Sequence, residues 1–268
     1  MKTPDRKIRH YCTCCTAKLY EADMQEIYYT LLKKSFWHCQ KCMSSNADNL
    51  HKILGQKQPY LIEFFSGSKT VSKTAENTFN YKTFTIDIEE KFKPDLHADI
   101  LQLGKNSIPG TGETFIIWAS VPCTYFTILN IPNHWEKITY ASRKYYYLPK
   151  TKEARNAIKL LEKTLYLIKK INPTYFFIEN PRGALRHMPQ MRNIPIHTVS
   201  YHDYGLDYYK PTDIFTNCPF LELKKLKTSV GKNFPSSVAN LNSSYERSIV
   251  PEMLIKDILH QIQTKHFN

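Results

Sequence analysis

Two segments of this chain carry residue types that point to covalent chemistry. Cys123 follows Pro122 directly after the apolar run 114–120. Glu179 and Asn180 close a second apolar run. A thiolate is a strong nucleophile, and a carboxyl group at a buried strand end is costly to desolvate without a partner or a task. Taken alone, Cys123 is also compatible with a core cysteine and Glu179 with a helix cap.

A thiolate and a carboxyl group together match the requirements of methylation at carbon 5 of cytosine. That carbon is too weakly nucleophilic to attack a methyl donor, whereas addition of a thiolate to carbon 6 creates an enamine that attacks readily. An acidic group at the ring nitrogen N3 stabilises the charge that develops during the addition. We therefore interpret Cys123 and Glu179 as one mechanistic unit, with Asn180 ordering the loop around the nucleophile.

Strand-like and helix-like segments alternate from Pro59 onward. The predicted strands are 60–65, 81–88, 114–120 and 174–180, and the predicted helices are 70–78 and 151–171. This alternation predicts an α/β fold with a doubly wound, mainly parallel sheet covered by helices on both faces. Because sites in such sheets collect at the carboxyl ends of the strands, we expect Cys123 and Glu179 to share one pocket.

The segments at these strand ends resemble the motifs of the DNA cytosine-5 methyltransferase family, particularly its short phage- and virus-type members. Pro122-Cys123 resembles the family's nucleophile motif, and Glu179-Asn180 resembles its acid motif. Residues 247–254 are similar to the final motif, which leads into a helix packed against the cofactor pocket. The order and spacing of the motifs match over residues 60–260. The resemblance implies a Rossmann-like methyltransferase fold and transfer of a methyl group to cytosine in DNA.

The resemblance also implies a pocket for S-adenosylmethionine. A loop that turns closely after the first strand would admit the methionine end of the cofactor. An acidic residue at the end of the second strand would hold the ribose, and Asp99-Ile100 is similar to the pair that holds the adenine. The residues implied to line the pocket are Phe65, Ser66, Gly67, Ser68, Asp87, Ile88, Asp99, Ile100 and Pro122.

The sequence departs from the family's motifs in three places. Lys69 stands where the commonest form of the cofactor loop has a second glycine. The region 204–213 matches an arginine-rich motif but contains no arginine, and its one basic residue is Lys210. The segment 217–244, which includes the loop-like stretch 221–244, is short for the family's target-recognition region. We therefore expect limited sequence specificity.

The charge of the chain predicts a polyanionic partner. The formal net charge is +13, and basic side chains gain affinity by releasing counterions from phosphates. A simple preference for surface lysine is the alternative explanation. We expect double-stranded DNA as the partner, with the target base extruded from the duplex, and we favour a monomer. Tyr140, Tyr145, Tyr146 and Tyr147 follow Cys123, in the segment that in the family forms a loop over the flipped base.

Five of the seven cysteines fall within residues 12–42. Two Cys-x-x-Cys pairs, Cys12 with Cys15 and Cys39 with Cys42, supply the four thiolates that a tetrahedral structural zinc site needs. His10 or His38 would also serve in place of one thiolate, and unliganded cysteines are the simpler alternative. Residues 1–57 are predicted to form a zinc-binding module, and residues 58–268 the methyltransferase domain.

No apolar stretch approaches the ~18 residues that span a bilayer, so we expect no membrane partner. The first fifteen residues are charged and lack the apolar run of a secretory signal. We therefore expect the protein to stay in its compartment of synthesis, the cytoplasm or the nucleus, and the resemblance favours a phage or viral origin.

Two other functions remain open from the sequence. The same cysteine and glutamate chemistry would serve a methyltransferase that acts on RNA or on a free nucleotide. A catalytically inactive reader, with a zinc-bearing DNA-binding module on a decayed methyltransferase fold, is the alternative from another class. Lys69 and the absent arginines favour that reader, whereas Cys123, Glu179 and Asp99 argue against it.

Overall fold

A computed structural model describes residues 9–11, 18–20, 24–29, 34–39, 58–109, 114–141, 144–225 and 244–267. The chain divides into two compact units, Met1–Lys57 and Gln58–Asn268. Among the helices of these described ranges, none combines the length and the apolar character needed to cross a membrane.

The described residues of the first unit form two antiparallel pairs of short strands. Strand β1 (Arg9–Tyr11) pairs with β2 (Lys18–Tyr20), and β3 (Met24–Tyr29) pairs with β4 (Lys34–Cys39). Of the four predicted zinc ligands, Cys39 ends β4, and the other three lie outside the described residues. The zinc site therefore stays a prediction.

The second unit is built on a seven-stranded sheet in the order β12-β13-β11-β8-β5-β6-β7. Its strands are β5 (Tyr60–Phe64), β6 (Lys82–Asp87), β7 (Leu96–His97), β8 (Thr114–Ser120), β11 (Tyr175–Pro181), β12 (Ile196–Ser200) and β13 (Pro211–Thr216); a separate hairpin consists of β9 (Trp135–Ala141) and β10 (Lys144–Pro149). Strand β13 is antiparallel to both of its neighbours, and the remaining pairs are parallel. The predicted mainly parallel α/β fold is confirmed.

The described helices are α1 (Thr70–Phe79), α2 (Ile131–His134), α3 (Lys152–Ile171), α4 (Ser244–Ser248) and α5 (Glu252–Phe267). Helix α3 covers one face of the sheet, and α1 and α5 cover the other. In β5, Ile62 belongs to a core that includes the apolar side of α3, whereas Leu61 belongs to a core shared with α1 and α5. Successive strand residues point to opposite faces, so burial on both faces explains the unbroken apolar runs of the sequence.

Local signals fix the bounds of α3, which leads into β11. The hydroxyl of Thr151 accepts a hydrogen bond from the Ala154 N–H at 3.2 Å, as an N-cap does. Asn172 ends the helix in the left-handed conformation, and its N–H donates to the Ile168 carbonyl. The helix therefore delivers the chain to β11 close to where the sequence predicted.

The segment after Cys123 forms a hairpin, so the prediction of a loop there is wrong. Trp135 in β9 and Tyr147 in β10 are buried. The Trp135 indole N–H donates to the Tyr125 carbonyl at 2.5 Å, and its ring stacks on Phe126 with centroids 5.4 Å apart. These contacts join the hairpin to the turn that carries Cys123. The prediction of a loop did not include this packing.

Candidate functional site

The ends of three adjacent parallel strands, β5, β8 and β11, form one pocket at the carboxyl edge of the sheet. The pocket is lined by Glu63, Phe65, Ser66, Gly67, Ser68, Thr70, Val71, Ser120, Val121, Pro122, Cys123, Glu179, Pro181, Lys210, Arg247, Ser248 and Val250. It brings the predicted nucleophile, the predicted acid and the predicted cofactor loop together. Among the described residues, no group of three or more histidine, cysteine or acidic side chains is arranged to bind a metal.

Cys123 lies in a tight turn that is fastened to β11. The N–H groups of Phe126 and Thr127 donate to the Cys123 carbonyl at 2.8 and 3.1 Å. The side-chain amide of Asn180, which is fully buried, donates to the Val121 carbonyl at 2.8 Å. Asn180 thus holds the backbone two residues before the thiol, as an ordering role requires.

The surroundings of the half-buried Cys123 thiol oppose its ionisation. Burial raises the pKa of Cys123, and the nearby Glu179 carboxylate adds to the increase. The Lys210 ammonium acts in the opposite direction and lowers that pKa. Because the thiolate is the reactive form, Lys210 is the group in the pocket that most favours the nucleophile.

Glu179 is buried, and two described side chains approach the same oxygen of its carboxylate. The Tyr201 hydroxyl donates to Oε1 at 2.7 Å, and the Lys210 ammonium lies 3.9 Å from Oε1. Lys210 itself is only 6% exposed, and its ammonium donates to the Arg247 carbonyl at 2.8 Å. The Tyr201 hydroxyl and the Lys210 ammonium are therefore both placed to stabilise negative charge on Glu179 inside the pocket.

The loop after β5 adopts a strained backbone. Phe65, Gly67 and Lys69 all have positive φ angles, 57°, 43° and 58°. Such angles cost a side-chain-bearing residue about 1 kcal/mol or more and favour glycine. The Gly67 N–H donates to the Asp87 carboxylate at 2.8 Å, which ties the loop to the end of β6. Lys69 therefore has a left-handed backbone conformation that a glycine would adopt at no cost.

Glu63 is a pocket residue that the sequence reading missed. Its side chain is buried in β5, and the backbone N–H and hydroxyl of Ser72 both donate to its Oε2, at 2.9 and 2.5 Å. Burial raises the pKa of Glu63 to about 7. The signal was present, because one acidic residue interrupts the apolar run YLIEFF (60–65).

The remaining predicted residues lie outside the pocket lining. Asp87 accepts hydrogen bonds from the Gly67 and Glu89 N–H groups. Ile88 is exposed, and Ile100 is buried in the core. Asp99 caps the following turn by accepting the Leu101 N–H at 2.9 Å. Their roles toward ribose and adenine stay predictions.

Comparison with known proteins supplies one clear relative. The chain is 25% identical, over 195 residues, to a protein of Frog virus 3 (isolate Goorha) described as a probable DNA (cytosine-5)-methyltransferase. The alignment covers 71% of this chain and 84% of the viral protein. The chain is thus homologous over most of its length to a protein of the methyltransferase class. No protein-family model matches it.

Two solved structures are similar in part. The Entamoeba histolytica methyltransferase EhMeth aligns over 65% of this chain at 18% identity and a TM-score of 0.43. The S. pombe Dnmt2 methyltransferase aligns over 63% at 17% identity and a TM-score of 0.41. The chain spans little more than half of each solved chain, 58% and 54%.

Proposed function

We propose that this chain transfers a methyl group from S-adenosylmethionine to carbon 5 of cytosine in DNA through a covalent adduct with Cys123. The observation that carries the proposal is the meeting of Cys123, Glu179 and the loop after β5 in one pocket. A nucleophile, an acid and a cofactor loop are the three parts that this reaction requires. Homology to the viral protein supports the methyltransferase class and suggests DNA as the substrate.

The loop after β5 fits a small polar ligand. The Ser66 hydroxyl is buried and has no hydrogen-bond partner among the described residues. No heavy atom lies within 4 Å of the position that a side chain on Gly67 would take. An unpaired buried hydroxyl beside open space is what a loop that receives a ligand presents. Phe65 to Ser68 would hold the methionine end of S-adenosylmethionine, which supplies a methyl group on a sulfonium.

The residues of the pocket would act on a cytosine extruded from the duplex. Cys123 loses its thiol proton to water, with the Lys210 ammonium favouring the thiolate, and Sγ bonds to C6. The electron pair of the C5–C6 double bond shifts through C4 toward N3, and N3 takes a proton from Glu179. Carbon 5 is then an enamine carbon and would take the methyl group, and the donor sulfur would keep the electron pair of the broken S–C bond as a neutral thioether.

Release of the product restores every group of the protein. A water molecule removes the proton from C5, and the freed electron pair re-forms the C5–C6 double bond while the bond from C6 to Sγ breaks. The N3 proton returns to Glu179, and Cys123 leaves as a thiolate that takes back a proton from water. Asn180 would keep the turn in register through both steps, because its amide holds the Val121 carbonyl.

A trapping experiment tests the proposal. Duplex DNA with 5-fluorocytosine, incubated with the chain and S-adenosylmethionine, should give a denaturation-resistant complex, because fluorine cannot leave C5 as a proton does. Cys123→Ala should abolish the complex. Cys218→Ala is the matched control, since Cys218 is a buried free thiol away from the pocket.

The substrate arm uses a ribo-oligonucleotide of the same sequence. A complex that forms with the ribo-oligonucleotide but not with DNA would identify RNA as the substrate and leave the cysteine chemistry of the proposal unchanged. No complex with either polymer, together with no binding of S-adenosylmethionine, would contradict the proposal and favour an inactive DNA-binding protein.

A further inference from the structure

We infer that Tyr201 is a positioning residue that directs the proton of Glu179 to Oε2, the oxygen left for the base. Tyr201 begins a short turn directly after β12 and is fully buried. Its backbone N–H donates to the Lys210 carbonyl at 3.2 Å, which joins the ends of β12 and β13. This inference deepens the proposed function and rests on it.

Both protein contacts of the Glu179 carboxylate fall on one oxygen. The Tyr201 hydroxyl donates to Oε1 at 2.7 Å, and the Lys210 ammonium stands 3.9 Å from the same atom. Within the described part of the chain, Oε2 receives no side-chain hydrogen bond, and Glu179 lines the pocket. Oε1 is therefore the oxygen that contacts the protein side chains, and Oε2 is the oxygen that is left to contact a ligand.

A protonated carboxyl group carries its hydrogen on one of the two oxygens. An oxygen that already accepts a hydroxyl hydrogen and faces an ammonium group is the unfavourable place for that proton. The proton therefore resides on Oε2, which is where N3 of the base must find it. Without the Tyr201 hydroxyl, the carboxyl group could hold its proton on either oxygen and turn it away from the base.

The surroundings keep Tyr201 in the donor state. Burial raises the pKa of Tyr201 well above its usual range, and the neighbouring Glu179 carboxylate raises it further. Its ring lies 4.6 Å from the Lys210 ammonium, an arrangement that fixes the ring plane through a cation–π contact. The titratable groups that act on Glu179 or the thiol are Tyr201, Tyr208, Lys210, Cys123 and Arg247.

The test compares two tyrosines that make the same kind of bond. Tyr201→Phe removes the donor to Glu179 and keeps the buried ring. Tyr204→Phe is the control, because Tyr204 is also buried and donates to a carboxylate, that of Asp257 at 3.2 Å, away from the pocket. Methylation kinetics are measured for both variants from about pH 6 to about pH 9, with S-adenosylmethionine binding and thermal melting as checks of folding.

Tyr201→Phe should lower kcat ~10- to 100-fold with KM for DNA little changed, because orientation of the acid affects the addition step and not binding. Its pH profile should differ in shape from that of the wild type, because the hydroxyl donor no longer distinguishes the two oxygens of the carboxyl group. Tyr204→Phe should match the wild type in both respects.

Two outcomes overturn the inference, and they are distinguishable. A wild-type chain that methylates DNA, with a Tyr201→Phe variant equal to Tyr204→Phe in kcat and pH profile, removes the role of Tyr201 and leaves the proposed function intact. A well-folded wild-type chain that transfers no methyl group to cytosine removes the proposed function and this inference with it.

Discussion

At the scale of single residues, Glu63 links the pocket to the stability of the fold. Its pKa is raised to about 7 by burial, whereas an unfolded glutamate titrates near 4.5. A group whose pKa is raised on folding contributes stability below its unfolded pKa, and this contribution is lost as the pH rises through the folded value. Apo-protein stability should therefore decline between about pH 4.5 and pH 7 through Glu63.

Glu63→Gln should remove this pH dependence. The variant should gain free energy of unfolding relative to the wild type as the pH rises from 5 to 8, by at most about 3 kcal/mol, the equivalent of the shift at 1.36 kcal/mol for each pKa unit. Urea unfolding at several pH values measures the difference. Glu136→Gln, on the exposed edge of β9, is the control and should show no such trend. A difference between Glu63→Gln and wild type that is constant with pH would contradict the prediction.

Some residues of the pocket can be predicted from the sequence and others cannot. The places of Cys123 and Glu179 in one pocket were predictable because each residue stands at the end of an apolar run. The partnership of Tyr201 with Glu179 was not, because 22 positions separate them and the contact exists only after β13 has paired antiparallel beside β11. The chain has eighteen tyrosines. Nothing in the sequence around Tyr201 indicates that its hydroxyl is the one that contacts Glu179.

At the scale of elements, the turn that carries Cys123 depends on close backbone packing against the segment after β11. Thr127 forms a bridge with Gly183, and the Ala184 N–H donates to the Phe126 carbonyl at 2.7 Å. A Cβ atom on Gly183 would lie 2.1 Å from the Phe126 carbonyl oxygen, a contact that real structures do not contain. Only glycine allows the two segments to approach this closely.

Gly183→Ala should therefore displace the turn and suppress formation of the Cys123 adduct by ~100-fold, since a misplacement of about 1 Å has effects of this size on reacting groups. Binding of S-adenosylmethionine should persist, because the three atoms nearest to the added Cβ belong to Phe126 and Thr127 and not to the loop after β5. The yield of the 5-fluorocytosine complex measures adduct formation, and calorimetry measures binding of S-adenosylmethionine. Gly104→Ala is the control, because its nearest atom would lie 3.9 Å away. Equal adduct yields in the two variants would show that the turn tolerates the contact.

The elements themselves were predictable to different degrees. The strands of the sheet centre and α3 follow from apolar runs and from the spacing of Ala154, Leu161 and Ile168, which face one core. The hairpin 135–149 was missed because its inward residues, Trp135 and Tyr147, are recognisable only by what they pack against. The edge strands β7 and β12, and β13 beside β12, are short or bear polar side chains, so no periodic signal distinguishes them from loops.

At the scale of the whole molecule, composition separates the two units more sharply than any motif. The composition of the chain changes at residue 58, from a Cys- and His-rich segment to alternating strands and helices. The boundary between the two compact units falls at the same position in the sequence. Every described residue that lines the pocket belongs to the second unit. The first unit has only short apolar runs, and a segment that cannot bury a core needs another source of folding energy.

Zinc held by Cys12, Cys15, Cys39 and Cys42 is the source we predict for the first unit, because metal binding to four thiolates supplies folding free energy directly. The purified chain should contain one zinc ion per molecule by native mass spectrometry. A strong chelator should expose the first 57 residues to limited proteolysis and leave residues 58–268 resistant and able to bind S-adenosylmethionine. Cys39→Ser should mimic the chelator, whereas Cys218→Ser should not. A zinc-free chain whose first unit resists the protease equally with and without chelator would show that these cysteines are ordinary thiols.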